Sequence, residues 1–296
     1  MIIVELLGGL GNQMFQYAMG KSLSKHLNTP VKYDVKHLVN HIPNENLIVR
    51  DLAIDVFNTN VQHASQKEIE NILRQSPHKI VRLFENVVMG RKNKYKYLYE
   101  PQPTYFEDVY KLPVNSYLAG YWQSTRYFEN IEPELKREFT FKAPIIPESH
   151  DLLQRMNRKT PICINVRRFN ALESSFHGYC GVQYYMTAMD IIASKVSDPD
   201  FFIFSDDLNW CKENLKIEKY PFTIVGHEHK GDKFSNYLHL ISLCKHFIIP
   251  NSSFAWWATW LNTDKDKIVI VPQTWHLVDW DPADLILPGW IRVKNN

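Results

Sequence analysis

The chain has 296 residues, of which 45% are hydrophobic and 22% charged, and a net charge of +2. That length exceeds one small core and suits two domains of about 150 residues each. The charge is too small to mark a nucleic-acid binder, and no apolar run reaches the roughly 20 residues of a membrane helix.

In chain order, residues 2–6 predict a strand, 8–12 a glycine turn, 13–27 a helix and 31–34 a second strand. The opening strand carries an acid, Glu5, so it does not read as a signal peptide. Cys163, Cys180, Cys211 and Cys244 form no CxxC pair, which fits a reducing compartment. A soluble cytoplasmic protein, with peripheral contact to the inner membrane, is therefore expected. Residues 35–115 are less regular, with helical pieces at 66–74 and 77–84. A strand is expected over 116–121 and a helix over 126–138. Pro144 and Pro147 make 141–147 the linker candidate, so the domains are expected at 1–147 and 148–296.

The second half alternates more cleanly. Short apolar runs at 162–166, 201–204, 247–249 and 268–271 alternate with helical patterns near 182–194, 209–215, 233–244 and 253–261. This predicts an α/β fold whose parallel sheet is covered on both faces. Ligands of such sheets sit at the carboxyl ends of the strands. Three polar signals fall there: Arg167-Arg168, Ser205-Asp206-Asp207 and Asn251-Ser252-Ser253.

The third signal is the most informative. Pro250 to Ser253 place N-cap residue types at the mouth of a helix that leaves a strand. The free N–H groups, the positive dipole end and the hydroxyls would meet at one point, which suits an anion. Paired guanidiniums at the neighbouring strand end suit a diphosphate, since each can donate two parallel hydrogen bonds. Trp256 and Trp260 lie one turn apart and are expected to face the sheet, with Trp257 also in the core. Turn chemistry alone would explain any one of the signals. Three on neighbouring strands favour a nucleotide diphosphate.

The glycine turn Gly8-Gly9-Leu10-Gly11-Asn12-Gln13 sits where a dinucleotide fingerprint would, but Met14 replaces its third glycine. No Gly-Lys-Ser/Thr follows, so it is not a phosphate loop. Asn12 and Gln13 offer amides to hydroxyl-rich groups. Tyr117, Tyr121 and Trp122 surround a strand end, with Gln123 and Ser124 after them. That composition suits a sugar, whose CH face stacks on aromatics, and it equally suits core aromatics. Asp-x-Asp pairs at 198/200, 264/266 and 279/281 lie in loop contexts and read as acidic turns. His227-Glu228-His229 lacks the spacing and third ligand of a metal site. The basic run from Arg91 to Tyr97 could meet anionic lipid or remain a solvated loop.

The stretches GGLGNQMFQYA (8–18), GYWQS (120–124), RR (167–168), FSDD (204–207) and NSSFAWWATWL (251–261) resemble the bacterial alpha-1,2-fucosyltransferases of glycosyltransferase family 11. The resemblance is collinear over nearly the whole chain. It implies a GT-B architecture of two Rossmann-like domains facing a cleft. It implies GDP-fucose as donor, inverting transfer to the 2-hydroxyl of a terminal galactose, and no required metal or other cofactor. The expected acceptor is a galactose-terminated oligosaccharide such as lactose, or a lipid-linked glycan. By position, Arg167 and Arg168 match the diphosphate arginines, and Asn251, Ser252, Ser253 and Phe254 the turn around the beta-phosphate. Ser205 and Asp206 match the nucleoside side, and Gly11, Asn12 and Gln13 the fucose side. Tyr121, Trp122 and Gln123 are the expected acceptor contacts. The family often reads His-x-Arg-Arg-x-Asp; here Asn165 and Asn170 replace the outer residues. Asn165 can still hydrogen-bond guanine, whereas Asn170 lacks the carboxylate's charge.

The competing classes are an NAD-dependent oxidoreductase and a non-catalytic carbohydrate-binding protein. If the chain is a transferase, its largest electrostatic need is to stabilise the leaving diphosphate. Glu5, Asp34, Glu107 and Asp108 are unranked candidates for general base.

Overall fold

The computed structural model describes residues 1–41, 50–74, 97–102, 104–168, 178–215, 217–277 and 284–296. The helix expected at 77–84, the basic residues 91–96, Asn170, Asp279 and Asp281 lie outside them. The chain forms two compact units, Met1–Thr140 and Phe141–Asn296. Segment 141–147 is part of the second unit. The Phe141 ring stacks on His239 at 4.2 Å, and the Ile146 N–H donates to Asn236 Oδ1 at 3.1 Å.

The first unit carries β1 (Ile2–Glu5), β2 (Val31–Asp34), β3 (Tyr97–Tyr99) and β4 (Tyr117–Ala119). They form a parallel sheet in the order β2-β1-β4-β3. Helix α1 (Leu10–His26) buries Met14, Phe15, Tyr17 and Ala18 almost completely. Ile69 and Ile72 of α3 (Gln66–Arg74) pack on Ile3 and Tyr117; a short α2 spans Lys36–Val39. Full burial of such side chains stabilises by about 1.5–3 kcal/mol each, which anchors the helices to the sheet.

Two expectations need correction here. Helix α1 starts at Leu10, because Gly9 takes an extended N-cap conformation and the turn is over by residue 9. Gly11, Asn12 and Gln13 therefore occupy its first turn. The helix expected at 126–138 is broken into 3-10 turns at Thr125–Tyr127 and Glu129–Ile131, followed by α4 (Glu132–Glu138). Pro133 stands in the first turn of α4, where its missing N–H and fixed φ start a helix but resist its extension backwards.

The second unit runs α5 (His150–Met156), β5 (Thr160–Val166), α6 (Val182–Ala193), β6 (Pro199–Ser205), α7 (Leu208–Asn214), β7 (Phe222–Ile224), α8 (Ser235–Ser242), β8 (His246–Ile248), α9 (Ser253–Leu261), β9 (Val269–Pro272) and β10 (Ile291–Val293). All six strands are parallel, in the order β10-β9-β8-β5-β6-β7. Ile164 of β5 pairs with Ile203 of β6 and Ile248 of β8. Tyr184, Ala188 and Ile192 of α6 close the core over them. Helix α8 begins two residues later than expected, since Lys233 and Phe234 have φ of 50° and 61°, outside the helical range.

The strand order reverses at β5. The chain moves outward through β6 and β7, then returns to the other side of β5 with β8. The crevice for a ligand opens between two such strands at their carboxyl ends. The first unit has the same reversal at β1, between β1 and β4. Among the described residues no helix is long and apolar enough to cross a membrane.

Candidate functional site

In the second unit, β5 and β8 flank the reversal, and their ends carry Arg167-Arg168 and Asn251-Ser252. Arg168 is only 9% exposed. Its guanidinium carbon lies 4.1 Å from the centre of the Trp210 ring and 4.6 Å from that of Tyr179. Its main-chain N–H donates to Asp206 Oδ1 at 2.8 Å, tying the exit of β5 to that of β6. Its Nε and Nη1 are buried and have no hydrogen-bond partner among the described residues. A buried, unpaired cationic donor is costly, and an anion is the group that would satisfy it. Arg167 is half-buried beside it.

The motif FSDD builds this corner. Asp207 caps α7 by accepting the Trp210 N–H at 2.9 Å, and the helix thereby sets Trp210 against Arg168. Ser205 Oγ accepts the Asp207 N–H at 2.9 Å. His227 Nε2 lies 3.0 Å from the Ser205 carbonyl oxygen. Asn165 is buried and donates to the Phe204 carbonyl at 3.3 Å, so part of its amide serves the sheet. Trp210 and Tyr179 escaped the sequence reading. Neither lies in a strand-end motif, and only the cap at Asp207 hints that Trp210 turns inward.

At the end of β8, Ser252 Oγ caps α9 by accepting the Ala255 N–H at 3.4 Å. Asn251 donates to the Trp275 carbonyl at 2.9 Å, bracing the loop. Ser253 and Phe254 are half-buried at the helix mouth. Trp256, Trp257 and Trp260 are buried, as their spacing predicts. Beneath the site, the Tyr184 hydroxyl donates to the Ile249 carbonyl at 2.6 Å.

In the first unit, the glycine turn after β1 meets the GYWQS segment after β4. Gln123 Nε2 donates to Asn12 Oδ1 at 2.9 Å. Gly8 has φ of 75°, and a Cβ there would lie 2.6 Å from Asn12 Nδ2, so only glycine allows this approach. Tyr121 is half-buried.

Gln13 and Trp122 depart from expectation. Gln13 is fully buried, donating to the Gly8 and Asp51 carbonyls and accepting from the Ala53 and Ile54 N–H groups. Those four bonds use its whole amide capacity, so it fastens the turn and has nothing left for a ligand. Trp122 is also fully buried, edge-on to Tyr127 at 5.7 Å, and offers no face to a sugar. Of the carboxylates, Asp34 is buried and accepts the Tyr117 hydroxyl at 2.9 Å, while Glu5 Oε1 lies 3.8 Å from His37 Nε2. Asp108, on an exposed 3-10 turn with Glu107, pairs with Lys111.

Among the described residues no three His, Cys, Asp or Glu side chains gather as a metal site. Asp198 pairs with Lys159 at 2.7 Å and Asp200 with Arg155 at 3.4 Å. His227 and His229 turn to different partners, Ser205 and Ser149.

Two parallel α/β units, each with its polar motifs at the reversal of strand order, place the protein in the GT-B-like class. The sequence pattern of Glycosyl transferase family 11 matches residues 1–294, and the chain belongs to that family. It is thus a glycosyltransferase, which replaces the oxidoreductase and lectin-like readings. An alpha-1,2-colitosyltransferase of Escherichia coli is 28% identical over 99% of both chains. Human galactoside alpha-(1,2)-fucosyltransferase 1 is 25% identical over 60% of this chain and 52% of its own. A mutant of Arabidopsis thaliana FUT1, solved in complex with GDP, shares the fold with a TM-score of 0.51. Its identity is 13%, over 90% of this chain and 69% of that one.

Proposed function

We propose that the protein transfers L-fucose from GDP-fucose to the 2-hydroxyl of a terminal galactose, with inversion and without a metal. One observation carries the donor side: the buried Arg168 guanidinium, set against two rings, with two N–H donors that have no hydrogen-bond partner among the described residues. A diphosphate supplies what it lacks. Arg167 and the mouth of α9, from Asn251 to Phe254, add positive potential at the adjacent strand end. As the sugar–phosphate bond breaks, charge grows on the leaving GDP while the sugar takes oxocarbenium character, the physics shared with glycoside hydrolysis. Fixed cationic donors at that point lower the barrier, and they do so without needing an ion. Asn165, Ser205 and Asp206 lie on the nucleoside side. Asn12, held by Gln123, and Tyr121 are assigned to the fucose and acceptor.

The acceptor in this reading is a galactose-terminated oligosaccharide such as lactose, or a lipid-linked glycan met by a cytoplasmic protein at the inner membrane. The test is calorimetric titration with GDP together with transfer from GDP-fucose to lactose. Micromolar GDP binding with product formation is expected. No GDP binding would overturn the reading.

A second reading has support from the colitosyltransferase relative, which matches this chain end to end. Colitose is fucose without its 3-hydroxyl. Competition between the two GDP-sugars for one acceptor separates the readings. A preference for GDP-colitose would replace fucose as the donor sugar and leave the diphosphate site unchanged.

A further inference from the structure

Glu100 lies directly after β3, at the carboxyl end of the first unit's sheet, outside every motif singled out by the sequence. Its Oε2 accepts the Tyr121 N–H at 2.7 Å, and its Oε1 accepts the Trp122 N–H at 3.0 Å. Two successive main-chain N–H groups can converge on one carboxylate only if the backbone turns sharply there. It does: Gly120 has φ of 143° and Trp122 a left-handed φ of 55°. A Cβ on Gly120 would lie 2.4 Å from Glu100 Cβ, so the glycine is what lets the acid enter. Gln16 holds the other side of the turn, donating to the Gly120 carbonyl at 2.9 Å and accepting the Leu7 N–H at 3.0 Å. The next residue out of this turn is Gln123, which fixes Asn12.

We propose that Glu100 is a positioning residue for transfer: its carboxylate clamps residues 120–123 in the strained turn that delivers Gln123 to Asn12. The proposal rests on the fucosyl-transfer reading above and extends it to the acceptor half.

The clamp depends on charge. An ionised carboxylate accepts both N–H bonds, whereas a protonated one turns an oxygen into a donor and loses one of them. Burial pushes the Glu100 carboxyl up to about 7, with the two N–H bonds opposing the rise. The titratable groups facing it are Tyr121 and Tyr127, both raised by burial and hence neutral in this range. Glu5 and Tyr99 act on the same Tyr121. Among the described residues no cation contributes to this shift. The clamp therefore opens as pH falls through neutrality.

The experiment compares wild type, Glu100→Gln and Gly120→Ala. Transfer from GDP-fucose to lactose is followed from about pH 5.5 to about pH 9, with GDP affinity measured in parallel. In wild type, kcat/KM for the acceptor should fall below neutrality toward the value of Glu100→Gln. In Glu100→Gln it should be lower at high pH by at least the about fivefold that the Gln123–Asn12 bond is worth, and the acid limb should be lost. Gly120→Ala should lose rate similarly although the acid remains. GDP affinity should be unchanged in both, which shows the second unit folded. Wild-type kcat/KM and an intact acid limb in Glu100→Gln would overturn the proposal.

If wild type binds GDP but does not fucosylate lactose, the reading of the reaction has failed, and the clamp is judged by hydrogen exchange instead. Amides of residues 120–124 should be better protected at about pH 8 than at about pH 6, after correction for intrinsic rates, and only when Glu100 is present. Equal protection in Glu100→Gln would overturn the clamp itself.

Discussion

Gln123 and Asn12 stand 111 residues apart, yet the amide of one donates to the amide of the other across 2.9 Å. The bond joins the exits of β4 and β1, the two strands at which the first unit's order reverses. Removing it by Gln123→Ala should free the Asn12 side chain. A neutral hydrogen bond contributes about 1 kcal/mol, so the acceptor KM or kcat should worsen about fivefold. GDP affinity should not change. A fivefold loss confined to GDP binding would place Asn12 elsewhere in the reaction.

If Arg168 holds the diphosphate as proposed, Arg168→Ala removes a buried, charge-assisted contact, and calorimetry should show GDP affinity weakened by about 2–5 kcal/mol. Arg168→Lys keeps the charge but loses the planar fork and the guanidinium's contact with the Trp210 and Tyr179 rings. Its affinity should fall between those of wild type and Arg168→Ala. Trp210→Ala should cost about 1 kcal/mol through the lost cation–π contact alone.

Ser252→Ala deletes the cap of α9 and should lower stability by about 1 kcal/mol, read as an earlier denaturant midpoint. The same helix mouth is assigned to the phosphate, so GDP affinity should fall with it.

If Arg167, Arg168 and the start of α9 hold the leaving group as proposed, transfer activity should survive excess EDTA. Loss of activity that manganese restores would show that an ion shares that task.

Glu100 also makes a prediction about stability. Its folded-state carboxyl titrates near 7, above the ordinary value of 4.5. The folded protein thus holds this proton more tightly than the unfolded chain. The stabilisation is complete below about pH 4.5 and is lost as pH rises through about 7. Relative to Glu100→Gln, the wild type should lose at most about 3 kcal/mol between those limits. A parallel pH dependence of Tm for the two proteins would contradict this.

All four cysteines are buried, and burial pushes the Cys180 thiol up to about 12 and that of Cys211 up to about 11. None should react with an aromatic disulfide reagent in the native protein. All four should react once denaturant is added.

The interior strands were legible because they are continuous apolar runs; Ile162 to Val166 could hardly be anything else. The strands the sequence hid, β3, β7 and β10, are three-residue edge strands with too few apolar residues to stand out. The proposed anion devices stand out in the sequence as polar residue types at strand ends, and it is their recurrence on neighbouring strands that sets them apart from turn chemistry. What lay beyond reach was side-chain direction. Gln13 and Asn12 are adjacent, and nothing in their order says that one is consumed by the Asp51–Ile54 backbone while the other turns to Gln123. Trp122 looks like a sugar platform in the sequence, yet in the structure its ring is fully buried against Tyr127. Glu100 was invisible because its meaning depends on Gly120, twenty residues on.

The two rings that grip Arg168 also bear on how fast a nucleotide arrives and leaves. If Arg168 is the diphosphate contact as proposed, a guanidinium already held against Trp210 and Tyr179 has no rotamer search to complete when the nucleotide arrives. Association should therefore run in the ordinary range for rigid docking, about 10⁵–10⁷ M⁻¹s⁻¹, and change little when either ring is removed. The loss should appear instead as a shorter residence time of the spent nucleotide, so weakening the grip would speed product departure wherever that step limits turnover.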